Sequence, residues 1–246
     1  MAEFSARLAA GWSRVLDWVY PGVCHGCGRG LCGGHSLCPG CAAAVPGLRA
    51  PFCDVCGEMF DGLIEGGFAC SNCRGQRFAF EFARPGGPRS ELAMALIHDF
   101  KYGRRLDLGL EIGALAARAF DDPRLWMPRA ERWPLVPVPL HRRRRHWRQF
   151  NQAREIADHL GRRVELPVCD GLKRVRATET QTRLSRRQRR ENLRGAFRAR
   201  GEVFRDSHGV ILVDDVFTTG STVHECAKVL RRAGVQKVIV VTAMRG

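Results

Sequence analysis

Two short apolar runs of strand-like composition stand near the end of the chain. GVILV (209–213) and VIVV (238–241) are rich in β-branched residues, and the intervening HECAKVLRRAG carries its apolar positions at helical spacing. A strand, a helix and a strand with no polar face on either strand predict a parallel sheet covered on both sides. Upstream, ELAMALIHDFKY and LDLGLEIGALAARAF read as two helices separated by Gly103, WPLVPVPL as a short strand, and FNQAREIADHLGRR as a further helix. Residues 172–200 are polar and Arg-rich, with no deep apolar face. At the start, Phe4, Leu8, Trp12, Val15, Leu16 and Val19 recur at steps of three and four, which predicts an amphipathic helix over 1–20. PGGP (85–88) reads as a linker or turn. The organisation expected is therefore a helix over 1–20, a small module over 21–80 and an α/β domain over 89–246.

The module at 21–80 is explained by its cysteines. Cys24 and Cys27 are followed after ten residues by Cys38 and Cys41; Cys53 and Cys56 are followed after thirteen by Cys70 and Cys73. Each C-x-x-C pair is a tight turn that brings two thiolates to one metal, and two such turns close a tetrahedron, the geometry of a structural zinc site. Gly28 and Gly57 follow a pair and permit the turn. The intervals are short for zinc ribbons, so Cys32, His25 and His35 remain open as substitute ligands at the first site. Two zinc ions are expected, and chelation is expected to unfold the module while sparing the α/β domain. Cys169 and Cys226 are left over as packed residues. The first residues, interrupted by Glu3, Arg7, Arg14 and Asp17, lack the apolar stretch of a signal peptide. No apolar run approaches the roughly 18–20 residues of a membrane helix. A cytoplasmic location without membrane insertion is expected, where reduced thiols bind metal rather than pair as disulfides.

The sharpest chemistry lies in VILVDDVFTTGST (210–222). An apolar strand runs into Asp214 and Asp215, and a loop of Thr218, Thr219, Gly220, Ser221 and Thr222 leads into a helix. Ligands of open α/β sheets bind beyond the carboxyl ends of the strands. The loop offers backbone N–H groups, hydroxyls and a helix N-terminus, which together suit a phosphate dianion. Carboxylates so close to a phosphate make sense as acceptors for sugar hydroxyls.

Charge adds a second theme. The chain carries 40 basic and 25 acidic side chains, a formal +15; two four-thiolate zinc sites would bring this to about +11. Such a surplus favours polyanions, either nucleic acid or a substrate with several phosphates. Part of it concentrates in HRRRRHWR, directly after the WPLVPVPL strand.

The 210–222 segment closely resembles the signature of the type I phosphoribosyltransferases. The ordered series of a cysteine-rich head, HDFKYGRR, VPVPLHRRR, RQFNQA, LKRVRATETQTRLSRRQRRENLRGAF and VDDVFTTGST resembles the ComF family of competence-associated proteins, from about Cys24 to the end of the chain. The resemblance implies an α/β fold: a type I phosphoribosyltransferase parallel sheet flanked by helices, with a small N-terminal double zinc ribbon. It implies that Asp214 and Asp215 are the catalytic pair holding the ribose hydroxyls, and that Thr218 to Thr222 hold the 5-phosphate. It also implies that Pro139, Leu140, His141, Arg142 and Arg143 grip the diphosphate. Thr178, Gln181, Leu184, Arg190 and Asn192 fall in a stretch read as a hood over the bound sugar phosphate. One departure is visible: the family's Arg-Gly before FNQ is Arg-Gln here, which leaves the backbone at Gln149 open.

Two functions follow as expectations. One is a Mg²⁺-dependent phosphoribosyltransferase that binds phosphoribosyl diphosphate and displaces its diphosphate with a nitrogen nucleophile. The other is a non-catalytic, single-stranded-DNA-binding accessory protein of natural transformation, contacting DNA through Trp147, Phe150 and neighbouring arginines and working with DNA-uptake proteins.

Overall fold

A computed structural model describes residues 22–31, 33–177, 186–200, 204 and 208–246. The helix expected over 1–20, Cys32, Thr178, Gln181, Leu184 and the side chain of Arg190 lie outside the described residues. In chain order the strands are β1 (Gly22–Val23), β2 (Gly30–Leu31), β3 (Ala83–Pro85), β4 (Leu135–Pro137), β5 (Leu172–Arg174), β6 (Phe197–Ala199), β7 (Gly209–Phe217) and β8 (Lys237–Arg245). The α-helices are α1 (Pro39–Ala44), α2 (Glu91–Tyr102), α3 (Gly109–Ala117), α4 (Trp126–Ala130), α5 (Arg142–Arg148), α6 (Gln152–Val164), α7 (Arg186–Leu193) and α8 (Ser221–Arg232).

The centre is a four-stranded sheet in the order β3-β8-β7-β4, parallel throughout. Its two long strands bury both faces, as their sequences require. Ile211, Val213, Ile239 and Val241 join a core with Ile112 and Ala116 of α3 and Ile156 and Leu160 of α6. Val210, Leu212, Val238 and Val240 point the other way, into a core with Val223, Cys226 and Leu230 of α8. The period of two in the strands sorts neighbouring residues to opposite cores. Each such side chain contributes roughly 1.5–3 kcal/mol by leaving water. The α/β sheet flanked by helices thus has the architecture implied by the resemblance.

Three details differ from expectation. PGGP does bend the chain, at Gly86 and Gly87, but as a buried turn and not as a linker between separate units: Pro85 ends β3, and both glycines are enclosed. A β-carbon on Gly86 would lie 1.8 Å from the Leu115 carbonyl oxygen, so only glycine permits that approach. The stretch 172–200 does have an apolar face. Its β5–β6 hairpin, with Leu172 opposite Ala199, buries Leu172 and Phe197, and Leu193 of α7 is fully buried. No single period shows there because the apolar positions are divided between hairpin and helix. Finally, the cysteine module is welded to the sheet. Cys24 and Cys38 belong to the core on one face, and Cys53, Cys56 and Cys73 to the core on the other.

Polar contacts reinforce that joint. Ala83 of β3 donates its N–H to the Val55 carbonyl at 2.7 Å. Arg118 reaches the Val45 and Ala42 carbonyls at 2.7 and 2.9 Å. Arg245 at the end of β8 pairs with Glu58 at 2.5 Å. Arg84 of β3, 1% exposed, donates to Asp122 at 2.6 Å beneath the ring of Phe52, 4.5 Å away. The head and the sheet thus share cores on both faces, so loss of the metal from the head would disturb apolar packing on the sheet as well.

Candidate functional site

Within the cysteine module the sulfur atoms of Cys24, Cys27, Cys38 and Cys41 lie within 4.8 Å of one another, and so do those of Cys53, Cys56, Cys70 and Cys73. The first set is therefore complete without histidine. His35 instead meets Glu111 at 3.2 Å and His25 meets Asp99 at 3.6 Å. Backbone amides of Cys38 and Cys70 donate to the sulfurs of Cys24 and Cys53 at 3.2 and 3.3 Å, which favours thiolates. Crowding leaves the sulfurs unequal: hydrogen bonding with Cys38, then with Cys24, pushes the Cys41 thiol up to about 12, while at Cys24 burial is outweighed by backbone hydrogen bonds, first that of Cys38, which lower the thiol to about 6. A divalent, thiophilic cation relieves that crowding, and both donor sets fit structural zinc.

The acidic pair lies where β7 outruns its neighbour. β4 pairs with β7 only as far as Pro137 opposite Val213, while β7 continues beside β8 from Asp214 opposite Thr242 to Phe217 opposite Arg245. The strand does not stop at the carboxylates, as the sequence suggested; it loses one partner there. Asp215 is buried and Asp214 partly so. Burial first, and the charge of Asp215 second, push the Asp214 carboxyl up to about 7. Lys101 and Arg174 act in the opposite sense.

Beyond β7, Thr218 is exposed and Gly220 takes a left-handed conformation (φ 72°) that turns the chain into α8. No side chain caps that helix. The Thr219 and Ser221 hydroxyls meet at 2.9 Å. The Ser221 N–H donates to the Thr219 hydroxyl at 3.4 Å, and a helix N-terminus with a hydroxyl pair beside it is an arrangement suited to an anion. Phe217 packs beneath, edge-on to Phe80 at 6.0 Å.

The loop after β4 leads into α5, whose first residues are Arg142 and Arg143. Pro139, Leu140, His141 and Arg142 line a cavity of about 1090 Å³, joined by Arg145, His146, Lys173, Arg174 and Arg200. Arg143 and the residues 214–222 are not among its walls. The structure therefore brings the predicted residues together in two groups, the acidic pair with its loop and a basic cavity. Arg174 connects them electrostatically: it acts on Asp214 and, after burial, depresses the pKa of His141. Asn192 of the predicted hood is described but is no part of the cavity wall.

Two residues of the site escaped the sequence reading. Lys101, in α2, places its Nζ 2.5 Å from Asp215 Oδ2. Arg148 is buried at the end of α5, 5.2 Å from the centre of the Tyr102 ring and close enough to Asp215 to feel its charge. Their only signal was membership of the HDFKYGRR and HWRQFN segments. Trp147 (51% exposed) and Tyr102 (52%) stand 6.4 Å apart, whereas Phe150 is buried against Phe100 at 5.0 Å and offers no surface ring. Gln149 adopts the left-handed conformation (φ 69°) that the family's glycine would take without strain.

A parallel sheet whose long strand carries an acidic pair into a Thr-Gly-Ser-Thr turn and a helix N-terminus defines a phosphoribosyltransferase-type domain. Residues 151–246 match the family model of the phosphoribosyl transferase domain, and residues 15–75 that of the double zinc ribbon domain. The chain is 32% identical to competence protein F of Haemophilus influenzae, over 84% of its length and 89% of that protein. It is 36% and 33% identical to DNA utilization protein YhgH of Salmonella typhi and of Escherichia coli, in each case over 89% of this chain and 95% of the relative. The chain belongs to the ComF family of competence proteins.

Proposed function

We propose that this protein binds phosphoribosyl diphosphate, with the ribose hydroxyls on Asp214 and Asp215, the 5-phosphate on Thr218 to Thr222, and the diphosphate toward Pro139 to Arg143. The observation that carries the reading is the placement of two carboxylates at the one-sided end of β7, immediately before an uncapped helix N-terminus. Carboxylates there have no use in holding a phosphate, but they match a sugar's vicinal hydroxyls. The reaction such a site supports is displacement of diphosphate from the anomeric carbon by a nitrogen nucleophile. Bound with the substrate, Mg²⁺ would neutralise charge on the leaving diphosphate, and oxygen donors of the kind Asp214 provides suit that ion. The arginines of the basic cavity stabilise the same developing charge. Calorimetric titration of phosphoribosyl diphosphate with Mg²⁺ tests the reading. Micromolar-range binding is expected, lost in the double variant Asp214→Asn, Asp215→Asn; heat that persists in the folded variant refutes it.

The relatives' names link the family to competence and DNA utilization, and for this chain we infer a role in handling incoming DNA, with DNA-uptake proteins as partners, in the cytoplasm. No helix among the described residues is long and apolar enough to cross a membrane. A specific surface favours direct contact with single-stranded DNA as a second reading. α5 lines the basic cavity with Arg142, Arg145 and His146 and exposes Trp147 beside Tyr102. Cations for a backbone and an aromatic ledge for bases thus flank one helix. Binding of an oligothymidylate should fall steeply with salt and weaken in Trp147→Ala; salt-independent binding contradicts it.

A further inference from the structure

Lys101 belongs to α2, outside both the acidic segment and the stretch 151–246 that matches the phosphoribosyl transferase domain. Its position is fixed by the opposite flank of the same helix. Ser90 caps the start by accepting from Ala93 N–H, and Ala93, Leu96, Ile97 and Phe100 are buried in the core. That rotation leaves Lys101, one residue beyond Phe100, directed at the end of β7, where its ammonium sits 2.5 Å from Asp215 Oδ2. The lysine side chain is 20% exposed and that of Asp215 11%. An ion pair this enclosed loses most of its attraction to desolvation, so stability alone is a weak reason for its presence. An ammonium also has three N–H donors. One lies on Asp215, and two remain for a neighbouring acceptor.

We propose that Lys101 is a ligand-binding residue of the sugar-diphosphate site, fixing the Asp215 carboxylate in place beside the ribose while donating its remaining N–H groups to an oxygen of the diphosphate. The inference rests on the sugar-diphosphate reading of the site. A diphosphate carried on the carbon next to a hydroxyl held by Asp215 brings its anionic oxygens within a hydrogen bond's length of a cation on that carboxylate. Arg148, from α5, approaches Asp215 as a second cation, so the acidic pair is met by positive charge from two helices that the strand and loop do not supply. The site is then completed by the HDFKY segment, and α2 must be docked on the sheet for the diphosphate to be gripped.

Two ligands separate this role from a purely structural one. Phosphoribosyl diphosphate and ribose 5-phosphate share the ribose and the 5-phosphate, and only the first carries the diphosphate. Both are titrated calorimetrically, with MgCl₂, into the full zinc-loaded chain and into Lys101→Gln, which keeps a hydrogen bond to Asp215 without the charge. Lys101→Arg and Lys101→Met are measured beside it, with Lys237→Met, at the opposite end of β8, as a charge-matched control. Lys101→Gln should weaken phosphoribosyl diphosphate by roughly 30-fold, and ribose 5-phosphate by less than about threefold. Lys101→Arg should recover most of the affinity, and Lys237→Met should match the wild type. Equal losses for both ligands, or no loss, overturn the proposal. Binding of neither ligand by the wild-type protein is a different failure, that of the sugar-diphosphate reading itself.

Discussion

Gly220 is where the shape of the phosphate loop can be tested with one atom group. At φ 72° it occupies the left-handed region, and a β-carbon there would lie 2.8 Å from the Phe217 ring and 3.3 Å from that of Phe78. Gly220→Ala therefore carries two costs. A left-handed alanine costs about 1–2 kcal/mol, and the overlap, which two packed rings must yield to relieve, about 1–3 kcal/mol. A combined loss of about 2–5 kcal/mol lowers the melting temperature by roughly 4–20 °C in a chain of this size. Relief of the overlap also tilts the first amides of α8. The loss of one charge-assisted hydrogen bond is worth about 1.5–3 kcal/mol, or roughly 10- to 150-fold in affinity for the sugar diphosphate. Ser221→Ala, which leaves the backbone alone, should melt close to the wild type. Differential scanning calorimetry and ligand titration check both numbers. An unchanged melting temperature and unchanged affinity in Gly220→Ala would refute this loop conformation.

Three further outcomes are expected. Because both cysteine clusters share cores with the sheet, a zinc chelator should lower the thermal stability of the whole chain in a single transition; a sheet that melts unchanged after zinc is removed would contradict this. Asp214 has its carboxyl pKa raised from 3.8 to about 7. Its contribution to stability is thus fully present below about 4 and lost as pH rises through about 7. Ligand binding needs the ionised form, so affinity should fall about tenfold from pH 8 to pH 6, and Asp214→Asn should flatten the profile. Gln149→Gly relieves a left-handed backbone costing about 1–2 kcal/mol against roughly 0.5–1 kcal/mol of added chain entropy, and should raise the melting temperature slightly, as differential scanning calorimetry would show; a lowered melting temperature would contradict this.

The sheet was legible because β7 and β8 are apolar on both faces, a pattern that suits strands covered by helices above and below. The cysteine pairs were equally plain, since four thiolates at C-x-x-C spacing have one economical use. The acidic pair and the Thr-Gly-Ser-Thr turn could be placed because strand, loop and helix follow one another directly in the chain. What spacing could not show is which residue faces them from a distant segment. Lys101 is more than a hundred residues from Asp215, and its helix reads as an ordinary amphipathic one. The burial of Phe150 was hidden for the same reason: next to Trp147 in a basic stretch it looks exposed, and only the packing of α2 on the sheet encloses it. The docking of the head on both faces of the sheet depends on single contacts such as Ala83 with Val55, which leave no periodic trace.

The central claim is that one ligand joins the acidic pair to the phosphate loop. The most direct measurement is a crystal structure of the zinc-loaded protein grown with phosphoribosyl diphosphate and Mg²⁺. A phosphate is expected on the amides of Thr218 to Thr222, with ribose hydroxyls on Asp214 and Asp215. A ligand confined to the basic cavity, touching neither carboxylate, would contradict the claim.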